Sequence, residues 1–561
     1  MIRRRVFLGG LLSLSLGALS GGRAAPTSGK NNAVVPATPE MQKRWLFVWR
    51  DMSDPQQVDR TIALFPRAQV AGYNAVVFGA GVALEKAVAF RQAARQHGLG
   101  LVAMVMGGSR DRNYAEGLPV QEALFVAQNG TATFWPDNPT QVANGGFEDV
   151  TGNHFPGWAF QDDEGVTTFA DHTTTHGGGV SLRMQDIGRN AAQHCRIQQT
   201  IRLQPHRHYR ISVWVRTEGL AGVVPEVKLL TPDGSGAISY QTFHCEPTQD
   251  WTHYDLVFNS LDNTSGLLYL GTWSGTGGRI WWDDLSVEEI GLVNVLRRPG
   301  CPVVVRAEGG MTYEEGHDYT PIADHLLSPW HAFHDAPSIR LTPNTRIPEG
   351  QRLRVSYYHP VLIYQDSVTS CLSEPKIFDD WKAEVEKADK LYHPDAFLMQ
   401  HDELRVINQC AACRAKNMTP GELLAWNVHK AAGIIRAVRP DAGIWVWSDM
   451  FDPDHNAVDH YYLVNGTLKG SWQGLDPGIG IMNWNGGALG KDCPFFAGLG
   501  LRQILSGYYD GDADGTTITR WKAAVQTVPG IVGAMYTTWA DNYDSLESWA
   551  KKAWPKTPTS P

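Results

Sequence analysis

Ala396-Phe397-Leu398-Met399-Gln400 is a short apolar run that ends in His401-Asp402-Glu403. A run of this kind, stopping abruptly in two adjacent carboxylates, reads as a buried strand that delivers both acids to a rim. The next element has the start signals of a helix. Thr419-Pro420-Gly421-Glu422 supplies an N-cap, a proline at the first helical position and a capping-box glutamate. Leu424, Val428, Ala431, Ile435 and Val438 then recur at helical spacing until Pro440. Residues 443–447 read as another strand. Strand, acidic tip, helix, strand is the repeat of a (β/α) barrel, whose active sites lie at the C-terminal ends of the strands.

Toward the N-terminus, residues 45–49 read as a first strand ending in Arg50-Asp51, and a helix follows to about residue 70. Strands at 74–78 and 101–106, with a helix at about 84–98 between them, complete three β-then-α units. At about residue 138 the pattern changes to short alternating segments separated by Gly, Asn, Asp and Thr. Residues 197–201, 209–215 and 253–258 read as strands of an antiparallel β-sandwich. Residues 303–306, 338–341 and 352–358 suggest a small accessory sheet. Barrel character returns with a helix at about 375–391, the acidic-tip strand, and strands at 444–447, 479–484, 503–508 and 534–539. These make eight. Residues 355–358 are a ninth candidate, an alternative to 101–106 in the closed barrel; they are assigned to the inserted sheet although they stand at the head of the second barrel half.

The expected fold is therefore α/β: a (β/α)8 TIM barrel interrupted by an inserted all-β jelly-roll sandwich and a small accessory β element. The expected bounds are 1–25 for a signal peptide, 26–43 for a linker, and 44–137 and 355–550 for the barrel halves. The sandwich takes 138–292, the accessory element 293–354 and a tail 551–561.

Arg3-Arg4-Arg5 followed by an apolar, glycine-rich run and Ala24-Ala25 reads as a signal peptide, and Arg4-Arg5-Val6-Phe7-Leu8 resembles a bacterial twin-arginine export signal. The chain is expected to be periplasmic or secreted. No later stretch is long and apolar enough for a membrane span. Its removal takes away four arginines and moves the formal charge from -9 to -13. An acidic chain without a basic cluster argues against nucleic acid or an anionic surface as partner. The 20 Trp among few charged residues suit a glycan, because aromatic faces stack on the apolar faces of sugar rings. The close pair Cys410-Ala411-Ala412-Cys413 would need two more ligands to hold zinc, and there is no second CxxC. A local disulfide or two buried thiols is expected there, with no metal site and no cofactor.

The strand tips carry the candidate chemistry. The fourth gives Asp402-Glu403, the fifth Trp447-Ser448-Asp449, the sixth Asn483-Trp484-Asn485, the seventh Tyr508-Tyr509-Asp510 and the eighth Trp539-Ala540-Asp541. Trp447, Trp484 and Trp539 at one end of successive strands suggest the wall of a sugar pocket. Most glycosidases use two carboxylates. Here they sit side by side and the seventh tip has no Glu, which suits substrate-assisted chemistry. Glu403 would be the general acid, its pKa raised by Asp402 and partial burial, and Asp402 would orient a 2-acetamido group.

On these residues the barrel resembles glycoside hydrolase family 20, the β-N-acetylhexosaminidases, with retaining, substrate-assisted catalysis. Asp402-Glu403 match the family's Asp-Glu after strand 4, and Tyr508 with Asp510 match its Tyr and Asp after strand 7. The likeness implies that Tyr508 bonds the acetamido carbonyl and Asp510 a sugar hydroxyl, that Trp447, Trp484 and Trp539 line the pocket, and that Asp541 replaces a Glu bonding a further hydroxyl. His401 flanks the pair; Gln400-His401 stands where the family has Gly-Gly. Its hydroxyl-gripping Arg is matched by Arg44 or Arg50, of which Arg50, at the C-terminal end of the first strand, is favoured. The segment from Asn144-Gly145-Gly146-Phe147-Glu148 through Gly157-Trp158 to Trp281-Trp282-Asp283-Asp284-Leu285-Ser286-Val287 resembles carbohydrate-binding modules of the family 4, 9 and 22 type. That likeness implies a glycan partner and admits a structural calcium in the sandwich. Two alternatives stand beside the leading one: a glycosidase on sugars without an acetamido group, using Asp449 or Asp541 as second carboxylate, and a non-catalytic glycan-binding protein.

Overall fold

The computed structural model describes residues 41–555 apart from 109, 110, 137, 138, 140, 193, 240, 242, 243, 274, 276, 332, 364–366, 511 and 513. The expected signal peptide, most of the linker and residues 556–561 lie outside the described residues.

Eight parallel strands close into a barrel: Lys43–Phe47, Ala75–Gly79, Gly100–Val105, Ala396–Met399, Gly443–Trp447, Ile479–Asn483, Arg502–Leu505 and Ile531–Tyr536. The register runs Trp45↔Ala75, Ala75↔Gly100, Val102↔Ala396, Ala396↔Gly443, Ile444↔Ile479, Gly480↔Arg502, Gln503↔Ile531 and Lys43↔Gly533. Alternate residues point inward, so Trp45, Phe47, Val77, Met104, Leu398, Trp445, Trp447, Met482, Ile504 and Met535 fill the interior. Their neighbours Leu46, Val76, Phe397, Met399 and Val446 pack outward against the helices. Both faces are buried, which is why these strands read as continuous apolar runs.

The helix Pro420–Val438 has its capping box: Glu422 N–H donates to Thr419 Oγ1 at 3.2 Å and Thr419 N–H to Glu422 Oε2 at 2.9 Å. Among the described residues, α-helices lie in six of the seven connections between the barrel strands, and the helix Leu546–Ala553 follows the last strand. The connection after the fifth strand departs from the expected repeat: residues 448–478 hold only the 3-10 turns Asp449–Phe451 and Ser471–Gly474 and the strand Leu463–Val464. That strand pairs with Val406–Ile407 and so ties the fifth tip to the fourth. No helix among the described residues is long and apolar enough to cross a membrane.

Between the third and fourth strands stand three antiparallel sheets. Two five-stranded ones face each other around Phe147, Trp158, Leu182, Ile197, Tyr209, Val213, Leu268 and Trp282, which makes a β-sandwich. The third, six-stranded, joins Leu118–Gln128 and Thr131–Phe134 to Val304–Ala307, Thr312–Tyr313, Ile339–Arg340 and Arg352–His359. The expected bounds at 137/138 and 354/355 therefore do not coincide with the sheet. It takes residues from both sides of the sandwich, because entry and exit strands of an insertion sit side by side and pair. Tyr357↔Val120 and Tyr358↔Pro119 place 355–358 in this sheet. The sandwich docks on it through buried polar contacts. Arg207, held within the sandwich by Glu289 at 3.0 Å, donates to Glu122 O of that sheet at 3.0 Å, and Asn259 donates to Pro119 O at 2.9 Å.

Candidate active site

A cleft of about 290 Å³ opens at the C-terminal end of the barrel. The fourth strand ends at Met399, and Gln400 N–H still donates to Val105 O, so the chain keeps strand direction until His401. The Gln400 amide packs against Gly107 on that wall. Asp402 and Glu403 lie on the cleft wall with His401 beside them.

Glu403 has φ +47°, a left-handed conformation that costs a non-glycine residue about 1–3 kcal/mol. Asp449 holds it there: the Glu403 N–H donates to Asp449 Oδ2 at 2.8 Å. The same carboxylate accepts Asn456 Nδ2 at 2.9 Å and Trp484 Nε1 at 3.3 Å. Asp449 is fully buried, so these donors replace its lost hydration. Turning the backbone at Glu403 aims its carboxylate at Arg405, whose Nη2 lies 2.7 Å from Glu403 Oε1. Arg405 is itself buried, with its guanidinium 5.3 Å from the centre of the Tyr462 ring.

The electrostatics separate the two acids. Burial, then the charges of Asp449 and Glu403, push Asp402 up to about 7. Burial also raises Glu403, but Arg405 pulls it back toward ionisation. Both carboxyls are thus raised, and only Glu403 has a guanidinium partner that favours its ionised form. His401 is not part of this exchange. Burial lowers it to about 4, and its Nε2 is 2.9 Å from Asn427 Oδ1 on the capped helix, so it is a neutral wall residue packed near Trp381.

An aromatic wall closes one side. Phe47, Trp49, Trp447 and Trp539 interlock with ring centres 5.0 to 6.3 Å apart. Opposite them the insertion contributes Trp330 and residues 367–370 and 372.

Of the residues expected at the site, Asp402, Glu403, His401, Trp447 and Trp539 meet at this cleft, and Asp449 and Trp484 stand behind Glu403. Arg50, Asp541, Tyr508 and Asp510 are not among the cleft lining. Arg50 Nε pairs with Asp541 Oδ1 at 2.6 Å, and Arg60 adds a contact to the same carboxylate at 3.1 Å. That cluster fastens the eighth tip to the first and leaves Asp541 engaged by two guanidinium groups. Tyr508 is 47% exposed. Asp510 accepts the Trp539 and Ala540 N–H groups at 2.7 and 3.2 Å and shapes the eighth tip. The sequence reading missed Arg405, Phe47, Trp49, Trp381 and Trp330. Arg405 was within reach, two residues after Glu403, and Trp49 ends the expected first strand. Trp330 had no local signal, since nothing near it says that the insertion bends back over the barrel.

Among the described residues, two groups of side chains have metal-ligating atoms within 4.8 Å of one another. Asp452, Asp454 and Asp492 lie behind the fifth and sixth tips. Burial, then the charge of Asp452, pushes Asp492 up to about 8, so this trio can hold a proton in place of a cation. The other group, Glu116, Cys371, Cys410 and Cys413, is wholly buried.

Residues 140–276 match the family model described as "Carbohydrate binding domain". No curated protein matches the chain. Among solved structures, the chain is similar to a Family 16 Carbohydrate Binding Module-2, at 18% identity and TM-score 0.21 over 26% of this chain and 97% of that one. A structure described as "CBM4 structure and function" aligns at 19% identity and TM-score 0.21, over 27% of this chain and 100% of that one. The CBM22-1 xylan-binding domain from Paenibacillus barcinonensis Xyn10C aligns at 16% identity and TM-score 0.21, over 26% and 93%.

Proposed function

We propose that this chain is an exported glycoside hydrolase whose reaction takes place in the barrel cleft, with the sandwich as its glycan-binding module. The observation that carries the proposal is the pair Asp402 and Glu403, one near neutral titration and one ion-paired, set beside the wall of Phe47, Trp49, Trp447 and Trp539. A sugar ring stacked on that wall presents its glycosidic oxygen to the pair. Asp402, which holds a proton up to about pH 7, donates it to the leaving oxygen as the C–O bond breaks. Glu403, ion-paired with Arg405, faces the positive charge that develops on the sugar, and water then adds to the anomeric carbon and gives up the proton that restores Asp402. This reverses the roles expected from sequence.

The substrate-assisted reading remains as a second one, favoured by the adjacency of the two carboxylates and by a seventh tip that offers Asp510 and no Glu. There Glu403 is the acid and Asp402 orients a 2-acetamido group. Hydrolysis of aryl β-N-acetylglucosaminide, β-N-acetylgalactosaminide, β-glucoside and β-galactoside tests both. Turnover of the plain sugars supports the first reading. Turnover confined to the acetamido sugars, inhibited by a thiazoline mimic of the cyclic intermediate, supports the second. Absence of hydrolysis on these and on an oligosaccharide library, with glycan still bound, would leave a binding protein and refute both.

A further inference from the structure

The pair Cys410 and Cys413 lacks partners in its own segment but not in space. Cys371, 39 residues before Cys410, brings its Sγ to 3.7 Å from Cys410 Sγ and 3.6 Å from Cys413 Sγ. Glu116 reaches the same point from the far side of the insertion, its Oε2 3.5 Å from Cys413 Sγ. None of these sulfurs is in a disulfide. Four donor atoms on a tetrahedron around zinc, with Zn–S about 2.3 Å and Zn–O about 2.0 Å, have S···S edges of about 3.8 Å and S···O edges of about 3.5 Å. The observed separations have that size.

The surroundings are built to the same end. Glu116 Oε1 accepts the N–H groups of Gln409 and Cys410, both at 2.8 Å, which leaves Oε2 to face the sulfurs. Ser373 Oγ donates to Cys413 Sγ at 3.0 Å. Arg298, fully buried and held by Glu374 at 2.8 Å, lies 4.0 Å from Glu116 Oε2 and offsets part of the negative charge.

We propose that Cys371, Cys410, Cys413 and Glu116 form a structural zinc site. The three thiols release their protons on binding and the carboxylate completes a closed tetrahedron, with no position open for substrate. The proposal is independent of the reaction in the cleft. Such an ion joins three distant segments. Glu116 N–H already donates to Thr369 O at 2.7 Å and Cys371 N–H to Tyr114 O at 2.9 Å. Zinc would fix this ribbon, which carries the cleft wall at 367–372, to the loop that follows Arg405. It would thereby hold the insertion onto the active-site end of the barrel.

The test is metal analysis and native mass spectrometry of the full exported chain, purified without chelator, together with Co²⁺ substitution. The expected result is one zinc per chain, and a cobalt form with thiolate charge-transfer absorption and the visible bands of a tetrahedral ion. Cys371→Ser and Cys413→Ser should abolish stoichiometric zinc. Cys301→Ser, which removes a neighbouring buried thiol outside the proposed ligand set, should retain it. A wild-type chain that contains no zinc, and after reduction takes up neither Zn²⁺ nor Co²⁺, would overturn the proposal. So would a Cys410–Cys413 disulfide in the chain as isolated from its export compartment. Equal zinc content in Cys371→Ser and wild type would refute the ligand set.

Discussion

Replacing Asp402 by Asn should stabilise the barrel at pH 8 and leave it little changed near pH 4. The folded-state pKa of Asp402 lies near 7, well above the 3.8 of an unperturbed Asp, because burial and the charges of Asp449 and Glu403 disfavour its ionised form. Between these two values the folded chain binds a proton that the unfolded chain has lost. Stability from this group is therefore fully present below the unfolded value, declines as the pH rises, and is gone above the folded value. Three pKa units correspond to about 4 kcal/mol. Part of that is mutual repulsion with Glu403, so about 2–4 kcal/mol is the expected gain from Asn at pH 8. For a unit of this size the gain corresponds to a rise in Tm of roughly 5–10 °C. Calorimetry of wild type and Asp402→Asn at both pH values reads it directly. A variant less stable than wild type at pH 8, or equally shifted at both pH values, would refute the electrostatic reasoning.

Other outcomes follow from the same geometry. The rate should fall as pH rises through about 7, because Asp402 then loses the proton it donates; a kcat/KM profile flat from pH 5 to 9 would contradict this. Arg405→Gln removes the 2.7 Å partner of Glu403, so the acidic limb of that profile should move to higher pH and kcat should fall about tenfold or more. Trp539→Ala should raise KM by roughly 2- to 10-fold with a smaller effect on kcat, through loss of stacking, as measured by steady-state kinetics. Arg207→Ala leaves Glu289 buried without its guanidinium partner. It should cost the sandwich docking about 3–5 kcal/mol, visible as a sandwich transition that separates from that of the barrel.

The barrel was legible because both faces of its strands are apolar and its helices carry caps, as at Thr419 and Glu422. Strand tips could be located from that register, and with them Asp402, Glu403, Trp447, Asp449 and Trp539. What escaped is whatever depends on where the insertion folds. Residues 118–126 and 352–359 pair across more than 200 residues, and no local pattern shows it. The same closure brings Glu116 and Cys371 to Cys410 and Cys413, although the CxxC looked short of ligands. Arg50 and Asp541 were placed correctly at their strand tips, but such a placement does not tell whether a charge faces substrate or a partner. Their 2.6 Å pairing is set by barrel closure between the first and last strands.

The most direct measurement compares kcat of Asp402→Asn and Glu403→Gln on two aryl glycosides of the same sugar, one with an acidic leaving group and one without. With Asp402 as the acid, Asp402→Asn should fall by about 10²–10⁴-fold on the poor leaving group and retain most of its rate on the good one, while Glu403→Gln falls on both. The opposite pattern, with rescue of Glu403→Gln and none of Asp402→Asn, would return the proton to Glu403. Wild-type rates in both variants would show that the pair is not the hydrolytic centre.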